Sequence, residues 1–285
     1  MRILSWNIQW GRGLDGRVDL ARIAATIRAL GGSEIICLQE VAVNFPGLAG
    51  SRGENQVEEL ARQFPEYQCI FAAATDVPDA GGRRKQFGNA ILSRLPVGQV
   101  FRHLLPWPCD AAVPSMQRVL LEAVVVAPWG ALRVMTTHLE YYSAKIRAEQ
   151  IGAIRALHAE ACAHARAPRA GKGEEGGSFE VFARPASAVL CGDMNFPATA
   201  AERSRLLAPY ADAAENWRDS WAVLHPDEPH VPTVGLHEKS VVDSPNCFDF
   251  LFVTADLVPR LRRHGVDAAT TASDHQPVWI ELQDR

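Results

Sequence analysis

Seven short apolar runs in this chain each end in, or carry, a single kind of polar signal: an acid, an amide or an imidazole. Runs of this length, bounded by Gly, Pro and polar residues, read as buried β-strands. The polar residues are Asn7, Glu40, Asn89, His138, Asp193 with Asn195, Asp249, and Asp274 with His275. If the strands share one sheet edge, these side chains build one pocket rich in carboxylate, amide and imidazole. The run from Ala188 to Pro197 shows the pattern most clearly. Apolar residues stop at Gly192, Asp193 and Asn195 follow two residues apart, and Pro197 prevents the strand from continuing. Taken singly, such an Asp serves equally well as a turn former or a helix cap.

The rest of the chain supplies helices between strands. Leu20, Ile23, Ala24, Ile27 and Leu30 recur at helical spacing, and Gly31-Gly32 ends the run. Residues 53–63 and 143–162 are further helices, the second with Ser143 as N-cap. Residues 118–126 and 131–137 are strands joined in a hairpin around Pro128-Trp129-Gly130. Residues 76–85 and 226–245 read as loops, 101–114 as irregular, and 217–224 as helical. Residues 164–187, rich in Gly and charge, read as a flexible surface insertion within one domain spanning 1–285.

A net charge of −4 and scattered Lys and Arg argue against a protein that grips nucleic acid mainly through its backbone charge. The six Cys are far apart, with no CxxC, which fits reduced thiols in a cytoplasmic protein. No apolar stretch approaches the length of a membrane span, and the first residues lead directly into a strand without a leader pattern. Hard oxygen donors at a strand rim suit Mg²⁺, whereas structural zinc would want paired Cys or HExxH.

Gly11-Arg12-Gly13-Leu14-Asp15-Gly16 matches GxGxxG between a strand and a helix, the fingerprint of an NAD-binding oxidoreductase. Its context is poor. Trp6, Asn7, Gln9 and Trp10 separate it from the strand, Glu34 opens the next strand, and Glu40 closes it too late. A non-catalytic binding module is a third reading, disfavoured because Glu40, Asp193 and His275 are all present.

Trp6-Asn7, Leu38-Gln39-Glu40, Gly88-Asn89-Ala90-Ile91-Leu92-Ser93, Thr137-His138-Leu139, Gly192-Asp193-Met194-Asn195, Phe248-Asp249-Phe250 and Ser273-Asp274-His275 together resemble the endonuclease/exonuclease/phosphatase (DNase I-like) superfamily. The blocks fall in the family's order over nearly the whole chain. The resemblance implies an α/β (α+β) fold, a four-layer αββα sandwich of two packed mixed sheets flanked by helices. It also implies Mg²⁺-dependent hydrolysis of a phosphodiester by an activated water, with Mn²⁺ as a substitute; a phosphomonoesterase of the same family is the alternative.

By resemblance, Glu40, Asn7 and Asp274 hold the metal. Asp193 activates the water, Asn195 holds it or a phosphate oxygen, and Asp249 orients His275. His138 contacts phosphate or acts as an acid. Apart from the resemblance, Asn89 and Arg118 are candidate phosphate contacts, Arg118 through its bidentate fork. Asn89 is as readily a backbone brace, and Arg118 a salt-bridged surface residue. Where AP endonucleases carry an Asp after the Asn, this chain has Gln9, which removes one anionic metal contact. The partner is a phosphoester substrate, with nucleic acid among the candidates. Trp107, Trp129, Trp217 and Trp221 are candidates for a substrate wall.

Overall fold

The computed structural model describes residues 1–167, 170, 171, 176–212, 214–238, 242 and 244–284. Its strands in chain order are β1 (Arg2–Asn7), β2 (Ile35–Val43), β3 (Gln68–Pro78), β4 (Arg84–Ser93), β5 (Val97–Leu104), β6 (Val119–Ala127), β7 (Gly130–His138), β8 (Ala188–Asp193), β9 (Trp217–Asp219), β10 (Asp249–Thr254), β11 (Leu261–Val266) and β12 (Val278–Leu282). The helices are α1 (Leu20–Ala29), α2 (Gln56–Gln63), α3 (Ala144–Arg166), α4 (Ala201–Leu207) and α5 (Ser220–Leu224). Sheet I has the order β11-β12-β1-β2-β4-β3, and sheet II β5-β6-β7-β8-β10-β9.

Strand sequences apolar on both faces explain the layering. In β1, Ile3 faces the other sheet, while Leu4 and Trp6 face outward onto Ile23, Ala24 and Ile27 of α1. In β8, Val189 and Cys191 face inward, while Leu190 meets Ile151 and Ile154 of α3. The central core thus lies between the sheets, with α1 and α2 on one outer face and α3 and α4 on the other. These are the four layers expected from the sequence.

Each sheet contains a parallel pair, β1–β2 and β7–β8, and each pair is connected through a helix. The C-terminal ends of both pairs lie at one rim. The pairing sets Asn7 opposite Gln39, and Asp193 opposite both His138 and Asp249. The chain returns from sheet II to sheet I between β10 and β11; β12 then pairs antiparallel with β1, and the segment before it delivers Asp274 and His275 to the same rim.

Several elements differ from the sequence expectation. Residues 76–85 are not one loop: β3 and β4 extend through half of them as a hairpin closed by Asp79, whose side chain accepts from the Gly81 and Arg83 amides. This arm is exposed, so burial imposes no alternation to read. Strands β5 and β11 are edge strands carrying Arg and His, and their polar sequences conceal them. Residues 217–224 divide into β9 and α5. Helix α3 runs to Arg166, so the expected insertion begins later than 164; residues 168, 169 and 172–175 of it lie outside the described residues. All six Cys are free, as expected of reduced thiols; Cys109 is exposed, Cys69 half-buried and the other four buried. No described helix is long and apolar enough to cross a membrane.

Candidate active site

The site is the polar end of the layer between the sheets. Moving along that layer, Ile3 and Val189 give way to Ser5, Gln39 and Thr136. The Gln39 amide donates to Thr136 Oγ1 at 2.8 Å and to Ser5 Oγ at 3.2 Å, tying the sheets together. Beyond these come the charged residues.

Glu40 reaches the layer through a backbone irregularity. Strict alternation would turn it outward with Leu38. The register of β2 against β4 instead shifts between Leu38 and Val41, and Glu40 has φ 60°. The extra residue is a bulge that turns both Gln39 and Glu40 inward and restores Val41 to the outer cluster. Among the described residues, four of the five non-glycine residues with positive φ are Gln9, Trp10, Glu40 and Asn195, all at this end of the molecule.

Asp193 lies at the centre and is 1% exposed. Its Oδ2 accepts from Asn7 Nδ2 at 3.0 Å, and its Oδ1 from the Asn195 amide at 2.9 Å. His138 Nε2 stands 3.5 Å and His275 Nε2 3.6 Å from Oδ2. Burial, with Asp249 adding to it and His275 opposing, raises the Asp193 carboxyl to about 6. Asn7 also donates to Glu40 Oε1 at 3.1 Å. Its oxygen accepts from the Gln9 amide, so Asn7 as placed braces two carboxylates, and oxygen ligation would need its amide turned.

The two imidazoles are in opposite states. Burial alone would keep His275 neutral, but Asp249 and Asp193 beside it push it well above the ordinary histidine value. Its Nδ1 donates to Asp249 Oδ2 at 2.8 Å. Burial and the neighbouring Arg118 and His275 charges hold His138 well below that value, so it is neutral at pH 7. Opposed environments of this kind separate acid from base roles.

Thr233, which the sequence reading passed over, completes the His275–Asp249 pair. Its Oγ1 donates to Asp249 Oδ2 at 2.6 Å and accepts from the Phe248 and Asp249 amides. Asp249 Oδ1 is buried without a hydrogen-bond partner among the described residues. Gln9 Nε2 donates to Asp274 Oδ2 at 2.6 Å, so the residue replacing an acid here neutralises the hydrogen-bonding demand of its neighbour.

Asn195 Nδ2 donates to Leu139 O at 2.8 Å, and Asn89 Nδ2 to Val119 O at 2.9 Å, linking β4 to the start of β6. Asn89 does not line the main cleft; it sits beneath Arg118 and His138 in a small recess. Arg118 does line the cleft, is 6% exposed, and stands 3.7 Å from Glu140. The cleft has a volume of about 660 Å³. None of Trp107, Trp129, Trp217 and Trp221 lines it; the tryptophan that does is Trp10.

Glu40, Asp193 and Asp274 bring three carboxylates into this cleft. Burial and the charge of Asp274 raise Glu40 to about 7. Carboxylates forced together, with His275 and Arg118 offsetting only part of their negative charge, fit a hard divalent cation. Asp193, Asp249 and His275 form another possible group, with donor atoms within 4.8 Å. A cation there would have to displace the His275–Asp249 hydrogen bond, so the Glu40 and Asp274 side is the better fit.

Known proteins share this fold. The sequence model of the Endonuclease/Exonuclease/phosphatase family matches residues 4–275. A solved endonuclease/exonuclease/phosphatase from Beutenbergia cavernae is 24% identical with TM-score 0.69, over 99% of this chain and 72% of its own. The mannosyl-6-phosphatase Bt3783 of Bacteroides thetaiotaomicron is 18% identical with TM-score 0.67, over 99% of both chains. D. rerio TDP2, solved with a single-strand DNA product, is 20% identical with TM-score 0.64, over 98% of this chain and 97% of its own. No curated protein sequence matches this one. At such identities the structures speak for the fold, two six-stranded mixed sheets in a DNase I-like sandwich, and the match over residues 4–275 for the family: the chain belongs to the endonuclease/exonuclease/phosphatase family.

Proposed function

We propose that this protein is a Mg²⁺-dependent phosphoesterase that hydrolyses a phosphodiester by in-line attack of an activated water. One observation carries the reading: Glu40, Asp193, Asp274 and the His275–Asp249 pair meet in one cleft, in a chain of this family. Proteins of the same fold that act as a mannosyl-6-phosphatase or hold a DNA product support phosphoester chemistry. The free thiols are in keeping with a cytoplasmic setting.

Glu40 and Asp274 would hold the metal, Mg²⁺ or Mn²⁺ in its place, with Asn7 beside them. When bound, the ion polarises a phosphate oxygen and offsets its charge. Asp193 orients the attacking water and takes its proton; a carboxyl raised to about 6 is a usable base near neutral pH. Asn7 and the Asn195 backbone fix its two oxygens. The His275 imidazolium, held by Asp249, meets negative charge as it develops on the phosphoryl group or leaving oxygen. Neutral His138 contributes a hydrogen bond to phosphate. Arg118 and Asn195 contact the phosphate from the sheet II side, while Asn89 supports the start of the strand that follows Arg118.

Hydrolysis of bis(p-nitrophenyl) phosphate and of p-nitrophenyl phosphate, each with Mg²⁺, Mn²⁺ or EDTA, tests the proposal. Turnover of the diester with Mg²⁺ and its loss in EDTA are expected. Undiminished turnover in EDTA, or turnover of the monoester alone, would contradict it.

A further inference from the structure

The cleft contains rings that the phosphate chemistry does not use. Trp10, Phe45 and Phe87 line it from loops and strands of sheet I, and Tyr141, Tyr142 and Phe248 from sheet II. Phe87 lies 6.4 Å, centroid to centroid, from both Trp10 and Phe45. Tyr141 meets Tyr142 edge-on at 4.9 Å. Trp10 is held in place: its Nε1 donates to Ala49 O at 2.9 Å, and its backbone has φ 45°, a conformation an aromatic residue rarely adopts. Tyr142 leaves 59% of its surface exposed.

The charges restrict what can fill this space. Among the described residues lining the cleft, Arg118 is the one permanent cation, and it already faces Glu140 at 3.7 Å. Against it stand Glu40, Asp193 and Asp274. A metal at the acidic end compensates one phosphoryl group. A second or third phosphate further along would meet ring faces, with a single ammonium beside them, Lys85, which lies 5.2 Å over the Phe45 ring and is already engaged there. The remainder of the substrate is therefore uncharged where it touches the cleft, and flat rings are what flat rings bind best.

We propose that the substrate carries one phosphoryl group with a planar aromatic substituent attached close to it, stacked on the Trp10 and Tyr142 walls. This rests on the phosphoesterase reading above. A nucleobase and a simple aryl group present the same face to these rings, so the chemistry is shared and the source is decided by comparison.

The test uses four S-ethyl phosphorothiolate diesters, alike in a non-aromatic ethanethiol leaving group whose release is read with a thiol reagent, whose second arm is ethyl, octyl, phenyl or thymidin-5′-yl, assayed with Mg²⁺ and with Mn²⁺. The phenyl and thymidinyl esters should exceed the ethyl ester in kcat/KM by about tenfold or more, a fold-change in the range of one stacking contact. Tyr142→Ala should abolish that preference through KM, bringing the phenyl and thymidinyl esters down to the ethyl ester; the exposed position makes the variant tolerable to the fold. The thymidinyl-to-phenyl ratio then identifies a nucleobase or an aryl group. Equal kcat/KM for all four esters, or an octyl ester as good as the phenyl ester, overturns this inference and leaves the phosphoesterase reading intact. Failure of every ester with both metals overturns that reading and this inference with it.

Discussion

Thr233 shows how one hydroxyl can govern a charged pair. It donates to the Asp249 oxygen that also receives His275, and it takes two backbone amides in return. Thr233→Val keeps the shape and removes all three contacts. Each lost hydrogen bond to a charged group is worth about 1.5–3 kcal/mol, so kcat should fall about tenfold or more with a lower melting temperature. Thr233→Ser should restore both; if the Val variant keeps full kcat, Thr233 does not position the pair. Nothing in the sequence singled this residue out, because it sits in a stretch without periodicity. Asn7, Glu40, His138, Asp193, Asp249 and His275 were legible because a polar side chain at the end of an apolar run needs a reason. The aromatic wall was not: Trp10, Phe45 and Phe87 look the same in sequence whether they fill a core or a cleft.

At the scale of elements, two local departures from ideal strand geometry build the site. The bulge in β2 turns Glu40 inward. In β8, Gly192 has φ 134°, and a Cβ there would lie 1.9 Å from the Thr137 carbonyl oxygen on β7. The close approach of these two strands brings Asp193 beside His138. Gly192→Ala must push the strands apart or strain the backbone, and should destabilise by about 3 kcal/mol or more, read from denaturant midpoints. A midpoint unchanged from wild type would mean that β7 and β8 separate at no cost. The Gly was readable as a strand end, but its contact with another strand was not. Bulges are equally silent in sequence, since alternation is already hidden when both faces of a strand are apolar. The exposed edge strands β5 and β11 escaped for the opposite reason, having no buried face to mark.

The whole molecule is two parallel strand pairs facing each other, closed by a C-terminal strand pair, β11 and β12, that crosses back to the first sheet. The family's ordered blocks made the sandwich legible, whereas the crossing-back depends on contacts 260 or more residues apart, such as Ser273 to Asn7. The shared rim has a consequence for stability. The Glu40 carboxyl sits at about 7 against an ordinary 4.5, so the stability it contributes is present below about pH 4.5 and lost as pH rises through 7. A divalent cation competes with that proton. Mg²⁺ should therefore raise the melting temperature by about 3 °C or more at pH 8, and by less than about 1 °C at pH 5. An equal rise at both values would place the ion elsewhere. The central claim is that Asp193 activates the attacking water. Its most direct test is kcat for bis(p-nitrophenyl) phosphate in saturating Mg²⁺, comparing wild type with Asp193→Asn, a change of nearly equal volume. The predicted result is a fall of about a thousandfold, the scale of a lost general base, with a melting temperature no lower than wild type because a strained buried carboxyl has been removed; activity within about threefold of wild type would contradict it.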